Sequence, residues 1–216
     1  MNGGDVGTIT ARIACKFSDS LIGRIPATER QIYLTVDDGP SDMSEDLADV
    51  LQTHNVCATW FLVGKAAESQ RKAVQHIAET GHLFGNHSYR HLDSWKAPWS
   101  VAELDLDEGL RAVEHVTGAR CVWTRPPFGR VRPATLRWCR EHKQGAMLWD
   151  VLAYDFGALP SPARVASQVR SKVRSGSIIV MHDRAQDQNL ETVEQTIAGL
   201  VSDGWTFSRL PAPART

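Results

Sequence analysis

From residue 31 onward, short apolar runs alternate with longer stretches of helical period, and this alternation limits the possible folds more than any other feature of the chain. The runs expected as strands are 31–36, 57–62, 82–86, 121–125, 145–150, 177–182 and 205–209. Helical periodicity fills 44–54, 68–80, 100–117, 133–142, 162–175 and 190–203. Several helix ends are punctuated: Thr80-Gly81 and Thr117-Gly118 read as glycine stops, and Ser161-Pro162 as an N-cap followed by Pro. Strands separated by helices pair in parallel, so the array is either a closed barrel or an open wound sheet. Residues 1–27 fit the alternation poorly and are read as a packed lead-in segment. Residues 28–210 form one domain and 211–216 a tail.

Polar clusters follow the apolar runs. Asp37-Asp38 comes after the first, His87 after the third, and Arg125, Asp150 and His182 close the fourth, fifth and sixth. Parallel β/α folds gather their C-terminal strand ends on one face, where active sites are built. At the first of these ends, Asp37 and Asp38 enter a Gly39-Pro40 turn, and successive side chains of extended backbone diverge. One carboxylate can then bind a metal while its neighbour faces a water or substrate. His87 and His91 have a spacing that would put both imidazoles on one face of a helical turn. A carboxylate with two histidines is the ligand set of a metal site that keeps a position open for water. These residues point to a metal-dependent hydrolase.

Composition excludes other classes. The net charge of −1 and the absence of a Lys/Arg cluster argue against a nucleic-acid track. No apolar stretch reaches membrane-spanning length, and residues 1–24 lack the pattern of a signal peptide, which favours a cytoplasmic protein unless the sequence is a processed or truncated form. Cys15, Cys57, Cys121 and Cys139 show no close pairing and read as reduced core thiols. Taken singly, His-x-x-x-His, Asp-Asp-Gly-Pro and Arg125-Pro126-Pro127-Phe128-Gly129 are weak signals; a solvated turn or a rigid connection accounts for each. Their order and placement at strand ends give them weight.

With those motifs in order, the chain resembles the polysaccharide deacetylases of carbohydrate esterase family four, the nodulation-type deacetylase domain, over residues 32–210. The resemblance implies a distorted (β/α)7 barrel and removal of N-acetyl groups from an amino sugar or glycan (peptidoglycan, chitin-like or lipid-linked). It implies Asp37 as general base and Asp38, His87 and His91 as ligands of one divalent metal. Zn²⁺ suits that set, and Co²⁺, Ni²⁺ or Fe²⁺ would also be accepted. It implies Arg125 as the residue orienting the base, the Phe128 N–H as an oxyanion donor, and His182 as general acid backed by Asp155, with Asp150 a rival partner because the spacing there is loose.

The chain departs from the family pattern at Val36, Phe128, Phe156 and Val180. The changes at Val36 and Val180 would reshape packing or the acetyl pocket, and Phe128 keeps its backbone donor. Pro127, Trp149 and Trp95 are further candidates to line the substrate site, and Trp95 and Trp99 either stack on a sugar or pack their loop against the barrel. Two other readings stand beside this one: an amidohydrolase of small intracellular amides, formamides or imides, and a carbohydrate-binding domain that has lost catalysis. The sequence says nothing of oligomeric state.

Overall fold

The computed structural model describes residues 21–156, 161–184 and 188–213. Its elements run β1 (Leu21–Ile22), β2 (Gln31–Asp37), α1 (Ser44–Thr53), β3 (Ala58–Leu62), α2 (Gly64–Ser69), α3 (Arg71–Glu79), β4 (Leu83–Asn86), α4 (Trp99–Thr117) and β5 (Trp123–Thr124). A 3₁₀ turn (Pro127–Gly129) follows, then α5 (Pro133–Glu141), β6 (Gly145–Met147), β7 (Val151–Leu152), α6 (Pro162–Lys172), β8 (Ile178–His182), α7 (Asn189–Ser202) and β9 (Thr206–Phe207). The central strands are apolar on both faces because helices cover one side and the barrel interior the other. Accordingly β3 is buried throughout, and β2 is buried at every residue after Gln31.

The strand order is β1-β6-β5-β4-β3-β2-β8-β7, with β9 beside β2, and every ladder is parallel. The path returns on itself through one segment, because β6, next to β1 at one end, and β7 at the other belong to the same stretch of chain. Its first part pairs with β5, and its last part pairs with β8. Between them Asp150 N donates to Ile178 O at 3.2 Å, and Ala153 N donates to Val180 O at 3.1 Å. This change of partner closes a distorted (β/α)7 barrel rather than an open sheet.

The same change corrects one expectation: 145–150 is not a single strand, since residues 148–150 leave one neighbour to reach the next. The 68–80 helix is likewise two helices. They part at Gln70 (φ −121°, ψ 50°), whose side chain donates to Pro40 O at 3.0 Å and ties the break to the turn after β2.

Trp60, Trp138, Phe61, Leu34 and Met147 are fully buried in one continuous core. Cys121 and Cys139 lie within it as free thiols, each pushed up to about 12 by burial. Cys57 is also free, and Cys15 lies outside the described residues, as do most of the lead-in and the end of the tail. No helix among the described residues is long and apolar enough to cross a membrane.

Candidate active site

Asp37 ends β2 in register with His182, the last residue of β8. Thr35, two residues earlier, shares its face. Both meet Arg125, which follows β5 and is 0% exposed. Arg125 Nη1 donates to Asp37 Oδ1 at 2.6 Å and to Thr35 Oγ1 at 2.8 Å, while Nη2 donates to Leu148 O at 3.0 Å. Its guanidinium also lies 4.1 Å over the Phe61 ring. Burial pulls the Arg125 pKa below its usual value, and the Asp37 charge opposes that shift. The carboxylate is therefore fixed by one rigid fork, with Oδ2 directed toward His87 Nε2, 3.9 Å away.

Asp38 does not diverge from Asp37 as extended backbone would require. Its φ of 71° is left-handed and turns the side chain back into the site. Asp38 Oδ1 lies 3.5 Å from His87 Nε2 and 3.1 Å from His91 Nε2. The expectation that His87 and His91 share a helical turn is corrected. They lie in a loop after β4, with left-handed backbone at Ser88 (φ 65°) and His91 (φ 58°), and their rings meet at 4.8 Å. The loop is clamped by α4: Asp105 Oδ1 accepts from Arg90 N at 3.0 Å, Asp105 O accepts from Tyr89 N at 2.9 Å, and Asn86 Nδ2 donates to Leu106 O at 3.1 Å.

The donors fit a divalent ion. One atom from each of Asp38, His87 and His91 lies within 4.8 Å of the others. His87 Nδ1 is 2.7 Å from Arg125 O. A carbonyl only accepts, so Nδ1 carries the hydrogen and Nε2 keeps its lone pair for a metal. Burial disfavours ionised Asp38, but the neighbouring His87 and His91 imidazoles hold its carboxyl well below the usual range.

Across the site, His182 Nδ1 is 2.7 Å from Asp155 Oδ1, and His182 N donates to Asp155 Oδ2 at 2.8 Å. Burial alone would lower the His182 pKa, yet the Asp155 charge and hydrogen bond, aided by Asp37 and Asp38, raise it above its ordinary value. Asp150 points elsewhere, accepting from Ile178 N at 3.1 Å and Ser177 Oγ at 3.3 Å and pairing with Arg174 Nε at 3.2 Å.

These groups stand together at the C-terminal ends of the strands. The family described as Polysaccharide deacetylase matches residues 24–145.

The chain belongs to the polysaccharide deacetylase family.

Over 163 residues it is 32% identical to the uncharacterized protein YlxY of Bacillus subtilis, covering 76% of this chain and 50% of that protein. It therefore spans half the length of that relative. It is 28% identical to a peptidoglycan-N-acetylglucosamine deacetylase of Bacillus cereus, covering 88% of this chain and 70% of that one. The crystal structure of the Bc1960 peptidoglycan N-acetylglucosamine deacetylase, in complex with a naphthalenyl N-hydroxybenzamide, superposes with a TM-score of 0.83 at 26% identity. The match covers 89% of this chain and 91% of that one.

In this member of the polysaccharide deacetylase family, the rim beside Asp38, His87 and His91 is aromatic. The 3₁₀ turn places Phe128 at φ 59°, with its ring 4.6 Å from His91 and 57% exposed, above a buried Pro127. Trp95 is 55% exposed, and Arg130 lies between the two rings, 5.3 Å from Trp95 and 5.5 Å from Phe128. Arg130 is itself paired with Asp93, and Trp95 Nε1 donates to Val131 O at 3.4 Å. Trp99 instead packs onto the core. Trp149 is buried under the 3₁₀ turn, 5.8 Å from the Arg125 guanidinium. Val180 is fully buried, two residues before His182, and packs in the layer beneath the site.

Sequence reasoning did not single out Thr35, Asp105 or Arg184, nor the partners of Asp183. Thr35 was detectable from period two with Asp37. Asp105 was detectable as one acid among the buried residues Ala102, Leu106, Gly109 and Leu110 of α4. Asp183 accepts from Ser41 N at 3.0 Å and from the Ser41 and Ser44 hydroxyls, fixing the turn that carries Asp38. Nothing local marks that pairing.

Proposed function

We propose that this chain hydrolyses the N-acetyl group of an N-acetylated amino sugar in a glycan of the peptidoglycan or chitin type, releasing acetate and a free amine. The observation that carries the proposal is the meeting of three units on one rim. These are an Arg125-held carboxylate, a two-histidine and one-carboxylate donor set, and an Asp155-backed imidazole. Binding a sugar requires none of them, which weighs against a domain that only binds carbohydrate.

A divalent metal held by Asp38, His87 and His91, with Zn²⁺ the best match to the donors, would polarise the amide carbonyl and acidify its water. Asp37, its geometry set by Arg125, takes the proton from the attacking water. The Phe128 N–H donates to the oxygen that gains charge as the carbonyl carbon becomes tetrahedral. As the carbon–nitrogen bond breaks, the amine takes a proton from His182. Its Nδ1 is held by Asp155, so Nε2 is the edge left for substrate. Trp95 and Phe128, exposed and held by a hydrogen bond from Trp95 and an edge-on contact of Phe128 with His91, offer faces to the C–H surface of a neighbouring sugar.

The test is acetate release from chitooligosaccharides, peptidoglycan fragments and small amides, with and without chelator. The expected outcome is chelator-sensitive release from the glycans. Asp37→Asn should retain the metal while turnover falls about 10²–10⁴-fold. Trp95→Ala should raise KM on oligomers roughly 3–10-fold while leaving kcat near wild type. Hydrolysis confined to small amides would replace this reading with an amidohydrolase. A metal-loaded protein that releases acetate from no substrate would reduce the chain to a binding domain.

A further inference from the structure

Arg184 is the one cation in the described structure that touches a member of the metal-donor set through its side chain. It lies two residues after His182 and is 37% exposed along its side chain. Its Nη2 donates to Asp38 Oδ2 at 3.0 Å. The other carboxylate oxygen, Oδ1, is the one that faces His87 and His91. The two oxygens of Asp38 are thus divided, one turned to the imidazoles and the other to a guanidinium.

The arginine is itself held in place. Its guanidinium lies 5.6 Å over the Phe156 ring, and Phe156 meets His182 edge-on at 5.0 Å. Its carbonyl accepts from Asn189 Nδ2 at 3.1 Å, which ties the backbone to the start of α7. Its Nε is buried without a partner among the described residues, so Asp38 is where the head finds its hydrogen bond. Asp38 needs such a support. Its left-handed backbone is a conformation that persists only where surrounding contacts impose it.

We infer that Arg184 is a positioning residue for the metal site: by occupying Asp38 Oδ2 it presents Oδ1 alone to the ion and keeps the carboxylate from chelating through both oxygens. A bidentate carboxylate would fill a position that the proposed chemistry leaves to water and substrate. A carboxylate without a partner would rotate freely and lose the orientation that the imidazoles require. Outer partners of metal ligands act in this way, and their removal typically lowers metal affinity or activity 10–100-fold. A positive charge beside a dication also repels it, so removal of Arg184 could instead tighten binding if orientation contributed little. The inference commits to orientation as the larger effect. It rests on Asp38, His87 and His91 being the metal ligands.

The experiment measures metal affinity directly, without turnover. Metal-free wild type, Arg184→Met, Arg184→Lys and His87→Ala are titrated with Zn²⁺ against a chromophoric chelator, and their Co²⁺ absorption spectra are compared. Arg184→Met is expected to bind Zn²⁺ about 10–100-fold more weakly and to show an altered Co²⁺ spectrum. Arg184→Lys, which keeps a donor but not the fork, is expected to fall between Met and wild type. Thermal unfolding of the metal-free Arg184→Met protein at the wild-type temperature would show that its fold is intact. Unchanged or tighter Zn²⁺ binding in Arg184→Met would overturn the inference. His87→Ala separates the two levels of argument: if it binds Zn²⁺ like wild type, the metal-site reading fails, whatever Arg184 does.

Discussion

In the proposed reaction His182 would protonate the leaving amine, and Asp155 holds the opposite edge of its ring at 2.7 Å. Burial opposes the charged ring, but the Asp155 charge and hydrogen bond raise its pKa above the ordinary histidine value of 6.5. The stabilisation from this pair is full below pH 6.5 and fades as pH rises through the folded value. Asp155→Asn removes the charge that supports the imidazolium and should lower that pKa. The alkaline limb of the turnover–pH profile should then move to lower pH, while Asp150→Asn should leave the limb in place. A shift in the Asp150 variant alone would reject Asp155 as the partner. Asp155 was legible in the sequence only as the better of two candidates. The deciding fact is a contact between residues 27 positions apart, which no local spacing encodes.

At the scale of elements, the histidine loop owes its shape to α4. Gly109 faces it so closely that a Cβ there would lie 2.4 Å from Ser88 C and 2.6 Å from Asn86 Oδ1. The loop backbone cannot yield without moving His87 and His91. Gly109→Ala should therefore weaken metal binding and lower stability by about 1–3 kcal/mol, the usual range for overpacking. Chelator competition and urea unfolding would read the two effects. A variant with wild-type values for both would show that the loop is not held by this contact.

A second element-scale test lies where β3 meets the residue before β4. Ala58 N donates to His82 Nδ1 at 3.1 Å, and burial pushes the His82 pKa down to about 4. Between pH 6.5 and 4 the unfolded chain takes up this proton and the folded chain does not, so stability falls as pH falls. The loss across that window is on the order of 3 kcal/mol. His82→Asn, which keeps an acceptor but cannot titrate there, should show a shallower fall in urea midpoint over the same range.

For the whole molecule, closure depends on the stretch that leaves β5 and joins β8, and Asp150 secures its crossing. Its carboxylate accepts from Ile178 N and Ser177 Oγ and pairs with Arg174. Asp150→Ala would leave the buried Ile178 N–H unpartnered and should destabilise the barrel by about 1–3 kcal/mol. Chemical denaturation would measure the loss, and the pH limb of turnover should not move. Equal stability with a shifted limb would reverse the roles assigned here to Asp150 and Asp155.

Most strand and helix positions after residue 31, the parallel arrangement and the row of polar residues at strand ends were readable in the chain, whereas β1 (Leu21–Ile22) was not. They arise from local periodicity, and in a parallel β/α fold strand direction carries every C-terminal end to one face. The break at Gln70, the divided run 145–152 and the left-handed turns at Asp38, Ser88 and His91 were not readable, because each is imposed by a partner distant in sequence. Arg125 meets Asp37 across 88 positions and Arg184 meets Asp38 across 146. The sequence determined which chemical groups would gather at the rim. Packing alone decided which oxygen, ring nitrogen and carboxylate faces which partner, because those choices turn on ångström-scale contacts that only the closed barrel creates.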